Sequence, residues 1–340
     1  MSEIQAPDKE TMEACRLYVD NLIKPIHSLG KLEDMAVRLA GITGKIKPGK
    51  LNKAIVIMAG DTAVDGENKT GGKTSLTEVR MVSRGLGSVS AVARMLGARV
   101  YLIDLGLEQD TADIEGVLMN KVVHGTHRGN PALDQKAVSD AISLGMSVAK
   151  TLAAQGVRAV GLGNIGERSL LSALGVTVAV MKKELQQNSA RYGFSLHMND
   201  VGNMSDDPIG VLSAVGSAEI AGLFGLTVQA AREGMAIVFD NAVTGAAVLA
   251  AMEVYPEIKD YVFPSAAYDE PVHQMQMKKM GIKPFLHYDF TMAEGVGSAM
   301  GLSLLDAAMD MLNEMKTFGQ GGVDVAEDGP GKGRQREDVR

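Results

Sequence analysis

The sequence is poor in cysteine, and this absence bounds both its covalent framework and its compartment. Its 340 residues include one cysteine, Cys15. A single cysteine excludes an internal disulfide framework and fits a reducing cytosol. Cys15 falls on an amphipathic stretch, where a cysteine is more often a core residue than a nucleophile.

Long apolar runs and a leader-like N-terminus are also missing. No run of about 18 uncharged apolar residues is present, so the sequence predicts no membrane span and no membrane partner. The opening MSEIQAPDKE is polar and acidic, which does not suit a secretory signal. Together these features predict a cytoplasmic protein.

Aromatic residues and surplus positive charge are scarce, which argues against nucleic acid as a partner. Tryptophan is absent, aromatic residues make up 4% of the chain, and the net charge is −7. Neither a stacking platform for bases nor a basic stripe for phosphates can be assembled from this composition. Glycine, by contrast, occurs 39 times and clusters where strands are expected to end. That pattern favours tight turns that handle a small molecule.

Short apolar runs alternate with helix-like stretches along the chain. The clearest runs are KAIVIMAGD (53–61), RVYLIDLG (99–106) and VRAVG (157–161). Three further strands are expected within AREGMAIVFDNA, DYVFPSAA and KPFLHYDF. The alternation predicts a mostly parallel, doubly wound, Rossmann-like α/β sheet, whose ligands bind outside the carboxyl ends of the strands. We expect a large α/β domain over 49–295, a small helical domain from 1–48 plus 296–323, and a disordered tail over 324–340.

A glycine pattern follows the third of these runs. Gly161, Gly163 and Gly166 stand in G-x-G-x-x-G spacing before a helix-like segment. Such a turn suits a dinucleotide, another phosphate-bearing ligand or a purely structural role. The acid that a dinucleotide site needs about 20 residues later would be Glu184, which lies in a predicted exposed helix. A phosphate-bearing ligand other than NAD is therefore the favoured interpretation.

Two other motifs are weak. The stretch GENKTGGKTS (66–75) resembles a P-loop, but Glu67 stands where the first glycine is required. The pair His124 and His127 has H-x-x-H spacing, but lacks both a third ligand and a glutamate between the histidines. We interpret these two as surface or turn histidines.

One acid stands out near the C-terminal helix. Glu294 lies between an apolar stretch and a glycine turn formed by Gly295 and Gly297. A partly desolvated carboxylate there could act as a general base. It could equally be a helix-start acid that interacts with the helix dipole. Its position alone leaves both interpretations open.

Taken in order, the segments resemble the nicotinate-nucleotide–dimethylbenzimidazole phosphoribosyltransferase family over about residues 22–323. SLGKLEDMAVRLAGITG is similar to the family's S-L-G-x-L-E opening, and IVIMAGDTAVDG to its A-G-D-H-G turn, with Thr62 in place of histidine. DPIGVLSAVGSAEIAG and VFDNAVTGAAVLAA resemble the D-P…V-G-G-x-E-I-A-A and D-G-F…A-A segments. SAAYDEPVH fits S-H-x-S-x-E-P-G-H, and MAEGVGSAMG matches G-E-G-x-G-A.

The resemblance implies phosphoribosyl transfer from nicotinate mononucleotide to an aromatic base, with release of nicotinate and formation of an α-ribotide of the cobamide lower ligand. It implies no cofactor and no metal, and a homodimer or a heterodimer with a paralogue. Glu294 falls on the family's catalytic glutamate. The implied substrate-binding residues are Gly163, Asn164, Gly166, Arg168, Ser169, Asp240, Tyr268, Glu270 and His273.

The chain departs from the family in its phosphate loop. The family sequence G-E-M-G-I-G-N-T becomes GNIGERSL here, so that Asn164 replaces an acid and Arg168 and Ser169 replace Gly-Asn. A lysine that the family places near the donor has no counterpart in HMNDVGNMSDD. Arg168 could compensate, because guanidinium binds phosphate well. Alternatively the chain belongs to the heterodimeric branch for phenol and p-cresol, as an active or a non-catalytic subunit.

Overall fold

The structure, a computed structural model, describes residues 3–62, 71–124, 131–181, 202–284, 286–289, 294–326 and 328–339. It comprises two compact units. One contains Lys53–Gly301 with the N-terminal residues up to Ile4, and the other contains Gln5–Asn52 with Leu302–Arg340. The division at 301/302 falls six residues later than the boundary that the sequence predicts, inside a continuous helix (α11, Val296–Glu314).

The larger unit contains a six-stranded sheet in which every strand pair is parallel. Its strands are β1 (Lys53–Gly60), β2 (Arg99–Gly106), β3 (Val117–Met119), β4 (Ala159–Ile165), β5 (Ala236–Phe239) and β6 (Val262–Pro264). Their order is β3-β2-β1-β4-β5-β6, that of a doubly wound Rossmann-like fold. The predicted fold class is confirmed.

Two details of the sheet differ from the prediction. β3 is an additional strand, only three residues long, at the edge of the sheet. The predicted strand in KPFLHYDF does not join the sheet in the residues described: His287 forms one isolated bridge with Ala267. Pro284 lacks a backbone donor there, which disfavours a longer ladder.

Helices cover the central strands. All eight residues of β1 are buried, as expected for a parallel strand packed on both faces. The helices of this unit are α3 (Lys73–Ser83), α4 (Ser88–Leu96), α5 (Gln135–Ala154), α6 (Ser169–Met181), α7 (Pro208–Val215), α8 (Ala218–Arg232), α9 (Ala242–Val254), α10 (Pro271–Met280) and the start of α11. α3 and α4 are separated by a turn that contains Gly85, which has a φ of +69°.

Glycines allow α5 and α8 to pack backbone against backbone. A Cβ atom on Gly145 would lie 1.9 Å from the carbonyl oxygen of Gly222. In the opposite direction, a Cβ atom on Gly225 would lie 2.1 Å from the carbonyl oxygen of Ile142. A side chain at either position would force the helices apart, so this contact requires glycine.

The smaller unit contains α1 (Lys9–Asp20), α2 (Lys31–Thr43), most of α11 and the short α12 (Phe318–Gly321). Cys15 is fully buried there, and its thiol points at the carbonyl oxygen of Ala36. Burial raises the pKa of this thiol to about 11, so Cys15 is a core residue. In the part of the chain that the structure describes, no helix is both long and apolar enough to cross a bilayer.

The chain after α12 is packed, in contrast to the disordered tail that the sequence predicts. The Gln335 side chain donates to the carbonyl oxygens of Asp20 and Lys24, at 3.1 and 3.0 Å. The Thr317 hydroxyl donates to the carbonyl oxygen of Val339 at 2.7 Å. Glycine and charge content favoured disorder, but these side chains satisfy backbone groups that would otherwise be buried without partners.

Candidate active site

The carboxyl ends of β1 and β4 lie side by side at the point where the strand order reverses. From β1 the chain proceeds to β2 and β3 on one side, and from β4 to β5 and β6 on the other. In sheets of this kind a crevice opens at this switch point, where ligands bind. The side chains that follow β1, β4 and β5 therefore define the candidate site.

Asp61, directly after β1, connects three of the loops at this edge. One carboxylate oxygen accepts hydrogen bonds from the Ser75 hydroxyl at 2.6 Å and from the Glu167 amide at 2.9 Å. The other accepts from the Glu108 amide at 2.9 Å. Asp61 thereby fixes the start of α3, the segment after β2 and the turn after β4. Of GENKTGGKTS, only residues 71–75 are described, and the P-loop prediction falls mainly outside the described residues.

The glycines of the G-x-G-x-x-G pattern serve close backbone contacts. A Cβ atom on Gly166 would lie 2.0 Å from the carbonyl oxygen of Gly60, at the end of β1. A Cβ atom on Gly163 would lie 3.0 Å from the Cα atom of Gly295. Gly166 is therefore accounted for by strand ends that approach each other, and Gly163 by the Gly295 backbone packed on β4.

Asn164 lies at the end of β4 and is tied to the end of β5. It is buried, and its side-chain oxygen Oδ1 accepts a hydrogen bond of 2.9 Å from the Asn241 side chain. Asn241 also caps α9, with its Oδ1 atom accepting from the amides of Val243 and Thr244. Where the family has an acid, this chain thus has a neutral amide pair that bridges two strands.

The turn from β4 into α6, here called the β4–α6 turn (Gly166–Ser169), contains a residue in an unusual conformation. Arg168 has a φ of +65°, in the left-handed region that favours glycine. Glycine is the family residue at this position in the resemblance described above. Ser169 then begins α6, and its hydroxyl lies 2.7 Å from the buried carboxyl of Glu219. The turn is therefore strained at one residue and anchored at the next.

We expect glycine at position 168 to relieve this strain. Arg168→Gly and Arg168→Ala both remove the guanidinium, but only glycine adopts a positive φ without steric cost. R168G should therefore be more stable to unfolding than R168A by about 1 kcal/mol. Urea titrations followed by circular dichroism compare the two variants directly. Equal stabilities would mean that the turn changes conformation when Arg168 is removed.

Asp240 and Tyr268 hold the N-terminus of α11. Asp240 is buried and accepts hydrogen bonds from the Asn241 amide at 2.9 Å and the Ser298 amide at 3.3 Å. Burial raises the pKa of Asp240 to about 7. The Tyr268 hydroxyl lies so close to Gly297 that a Cβ atom there would be 2.0 Å away. Burial and the nearby Asp240 carboxyl both raise the pKa of Tyr268 well above its usual range.

Glu294 immediately precedes this anchored helix start. Glu294 is only 6% exposed, and the Ser88 hydroxyl donates a hydrogen bond to its Oε2 atom at 3.4 Å. Burial raises its pKa, and the hydrogen bond from Ser88 opposes the rise. Gly295, with a φ of +84°, packs on Gly163. Glu294 is thus a desolvated carboxyl at the switch point, as the general-base interpretation requires.

Glu78 is a further acid of this edge that the sequence analysis did not single out. It lies on α3 beside the buried Val79 and is half-buried. Its pKa is raised first by burial, and then by the carboxyls of Glu294, Glu167 and Asp61. The helical periodicity of α3 could have indicated it, because Ser75, Val79 and Val82 define the adjacent buried face.

Glu270 and His273, both predicted to bind substrate, have structural partners. Glu270 caps α10: its oxygens accept from the amides of Val272 at 3.0 Å and His273 at 2.6 Å. His273 is buried against the rings of Phe239 and Tyr268, and burial lowers its pKa. Glu270 thus caps the helix that follows Tyr268, and His273 packs against the Tyr268 ring. A direct contact with substrate remains a prediction for them.

His124 lines an open cleft of about 690 Å³ beside β3, together with Glu108, Asp110, Lys121 and Asp140. Its partner in the H-x-x-H motif, His127, lies outside the described residues.

A separate group of potential metal ligands lies in the smaller unit. Among the described residues, one such group brings three side chains together, Asp20, His27 and Glu33. The Arg334 guanidinium lies 3.3 Å from His27 Nε2. His27 Nδ1 lies 3.7 Å from Glu33 and 3.9 Å from Asp20. The other oxygen of Glu33 lies 3.0 Å from the Lys24 ammonium. Two side chains with positive charge, those of Lys24 and Arg334, thus lie next to this cluster.

Strand order and site together place the chain among doubly wound α/β proteins with a ligand site at the switch point. Within that class, the family described as phosphoribosyltransferase matches residues 4–323. The chain belongs to the nicotinate-nucleotide–dimethylbenzimidazole phosphoribosyltransferase family.

Relatives of that name are similar along nearly their whole length. The protein from Alkaliphilus metalliredigens is 34% identical, over 95% of this chain and 97% of the relative. The protein from Citrifermentans bemidjiense is 31% identical over the same shares. The crystal structure of the Thermus thermophilus protein of this name superposes with a TM-score of 0.81 at 26% identity. The match covers 94% of this chain and 100% of that structure.

Proposed function

We propose that this protein transfers the phosphoribosyl group of nicotinate mononucleotide to an aromatic base, releasing nicotinate and forming an α-ribotide for cobamide synthesis. The observation that carries the proposal is Glu294, a buried carboxyl with a raised pKa, next to Gly295, which packs on Gly163 of β4. The names of the relatives support the same reaction.

The donor phosphate would bind at the β4–α6 turn. Ser169 is the first residue of α6, so the free backbone amides of the helix start face this end of the sheet. Helix N-termini bind anions through these amides and through the helix dipole. Arg168 adds a guanidinium at the same place, and Ser169 contributes its backbone amide. Asn164 and Gly163 would line the adjoining floor.

In the reaction, a nitrogen or oxygen of the acceptor attacks C1′ of the ribose. The bond from C1′ to the pyridinium nitrogen breaks, and its electron pair leaves with nicotinate. Glu294 takes the proton that the acceptor loses. Glu78, Glu167 and Asp61 add negative charge around the site, which favours the positive character that develops at C1′. Asp240 and Tyr268 act indirectly, because they hold the start of α11, which positions Glu294.

The alternative is a non-catalytic paralogous subunit of a heterodimeric phosphoribosyltransferase. One observation favours a specialised subunit: Asn164 and Asn241 form a neutral bridge where the family has an acid. In the heterodimeric branch the acceptor would be phenol or p-cresol. A phenol has a pKa near 10, so Glu294 would matter more as a base in that reaction.

Nicotinate release tests the proposal. The protein is mixed with nicotinate mononucleotide and with dimethylbenzimidazole, phenol or p-cresol, with and without a co-expressed paralogue from the same organism. We expect release with at least one acceptor. Release only with the paralogue present would favour the heterodimer, and release that survives Glu294→Gln in this chain would favour its non-catalytic form. No release under any of these conditions would contradict phosphoribosyl transfer.

A further inference from the structure

One hydroxyl in the β4–α6 turn faces two acceptors. The Oγ atom of Ser169 lies 3.1 Å from the carbonyl oxygen of Gly166 and 2.7 Å from Oε1 of Glu219. A serine hydroxyl has a single hydrogen, so it cannot donate to both. Both contacts are full two-centre hydrogen bonds at once only if Glu219 itself carries a proton, which it donates to Ser169.

The surroundings of Glu219 favour that proton. Its side chain is fully buried at the start of α8, under the end of β1. Its Oε2 atom makes no hydrogen bond of good geometry within the described residues, and a Cβ atom on Gly60 would lie 2.7 Å from it. A buried carboxylate with an oxygen in this position is costly when charged, whereas a neutral acid is not.

We propose that Glu219 is a positioning residue that controls the β4–α6 turn through a proton. When Glu219 is protonated, it donates to Ser169, and Ser169 donates to the Gly166 carbonyl, which closes the turn. When Glu219 ionises, the Ser169 hydrogen turns toward the carboxylate and the bond to Gly166 is lost. The inference rests on the proposed function, in which this turn holds the donor phosphate.

The pH dependence follows from the groups around Glu219. Burial raises its pKa to about 7, the hydroxyls of Ser169 and Ser217 oppose the rise, and the carboxyl of Asp61 adds to it. Below that value the acid is neutral and the turn is closed. Above it, a negative charge stands beneath the phosphate site and repels the donor. Donor binding should therefore weaken as the pH rises through about 7.

The first test is the KM for nicotinate mononucleotide between about pH 6 and 9, in the wild type and in Glu219→Gln. Glutamine is always neutral, and its amide group can donate to Ser169 as the protonated acid does. We expect KM of the wild type to rise on the order of fivefold or more relative to that of E219Q. The donor phosphate titrates near pH 6 in both proteins, so the comparison cancels its contribution. Parallel KM profiles would overturn the proposal.

A second test needs no substrate. The infrared difference spectrum, wild type minus E219Q, should contain the carbonyl band of one protonated carboxyl that disappears near neutral pH. Asp240, whose pKa burial also raises to about 7, is present in both proteins, so its band cancels in the difference. Ser169→Ala removes the hydroxyl between the two partners, so the KM rise should become smaller in that variant, which also serves if E219Q does not fold. If the band titrates but the protein does not bind nicotinate mononucleotide, the proposed function is contradicted, whereas the protonation of Glu219 is still supported. Donor turnover without the band would leave the proposed function intact and overturn this inference.

Discussion

Replacing Glu294 by glutamine should lower kcat of nicotinate release by about 10²–10⁴, the usual contribution of a positioned general base. Glutamine has the same shape and can still accept a hydrogen bond from Ser88, so the fold should be unchanged. The loss arises because an amide cannot take the proton of the acceptor. Circular dichroism and thermal unfolding of E294Q verify the fold, and stopped assays of nicotinate measure the rate.

The control for this substitution is Glu257→Gln, an exposed acid of the same unit in the turn before β6. E257Q should retain wild-type turnover. If E294Q and E257Q had equal rates, Glu294 could not be the base.

The pH profile of kcat gives the same residue a second signature. The base must be ionised, and burial raises the pKa of Glu294, so the rate falls as pH drops through that raised pKa. The acid limb should thus lie above the range of a free glutamate. Because the Ser88 hydroxyl lowers this pKa, Ser88→Ala should move the limb to higher pH. If the acid limb of S88A did not move, the group that titrates in the kcat profile would not be one that accepts a hydrogen bond from Ser88.

The strands show how far local sequence determines this fold. β1 and β2 could be predicted to within a residue because each is a continuous apolar run that ends in glycine or aspartate. β3 could not be predicted in this way, because its three residues are half-buried or exposed. They form a strand through pairing with Leu102–Asp104 of β2. KPFLHYDF looks like a strand, but no neighbouring strand pairs with it along its described residues.

The sequence could indicate a candidate site residue where the relevant groups lie within one motif. Glu294 could be singled out from its glycine neighbours, and the resemblance assigned it a role. Glu219 could not be singled out, because its partner Ser169 lies 50 residues away in sequence. The two side chains come into contact because α6 and α8 begin side by side in the fold. Its own context, AEIAGLF, reads as an apolar helix. Glu270 is the opposite case: it stands in a motif of the family, but in the structure its carboxylate caps α10.

The largest expected loss of stability comes from Asp61→Ala. Alanine removes the acceptor of the Glu108 and Glu167 amides and of the Ser75 hydroxyl, all at the end of β1. Each buried donor left without a partner costs about 1–3 kcal/mol. We expect D61A to lower the free energy of unfolding by about 3–5 kcal/mol. Because the chain lacks tryptophan, urea unfolding is followed by circular dichroism.

Two further variants separate the role of this carboxylate from a general effect of removing an acid. Asp61→Asn keeps one side-chain oxygen, which can serve the Ser75 hydroxyl and the Glu167 amide, but places an amide donor against the Glu108 amide. D61N should therefore fall between the wild type and D61A. Asp110→Ala removes an exposed carboxylate that accepts a local hydrogen bond from the Ala112 amide, and should change stability by less than about 1 kcal/mol. Equal losses in D61A and D110A would mean that the three loops hold the edge of the sheet without Asp61.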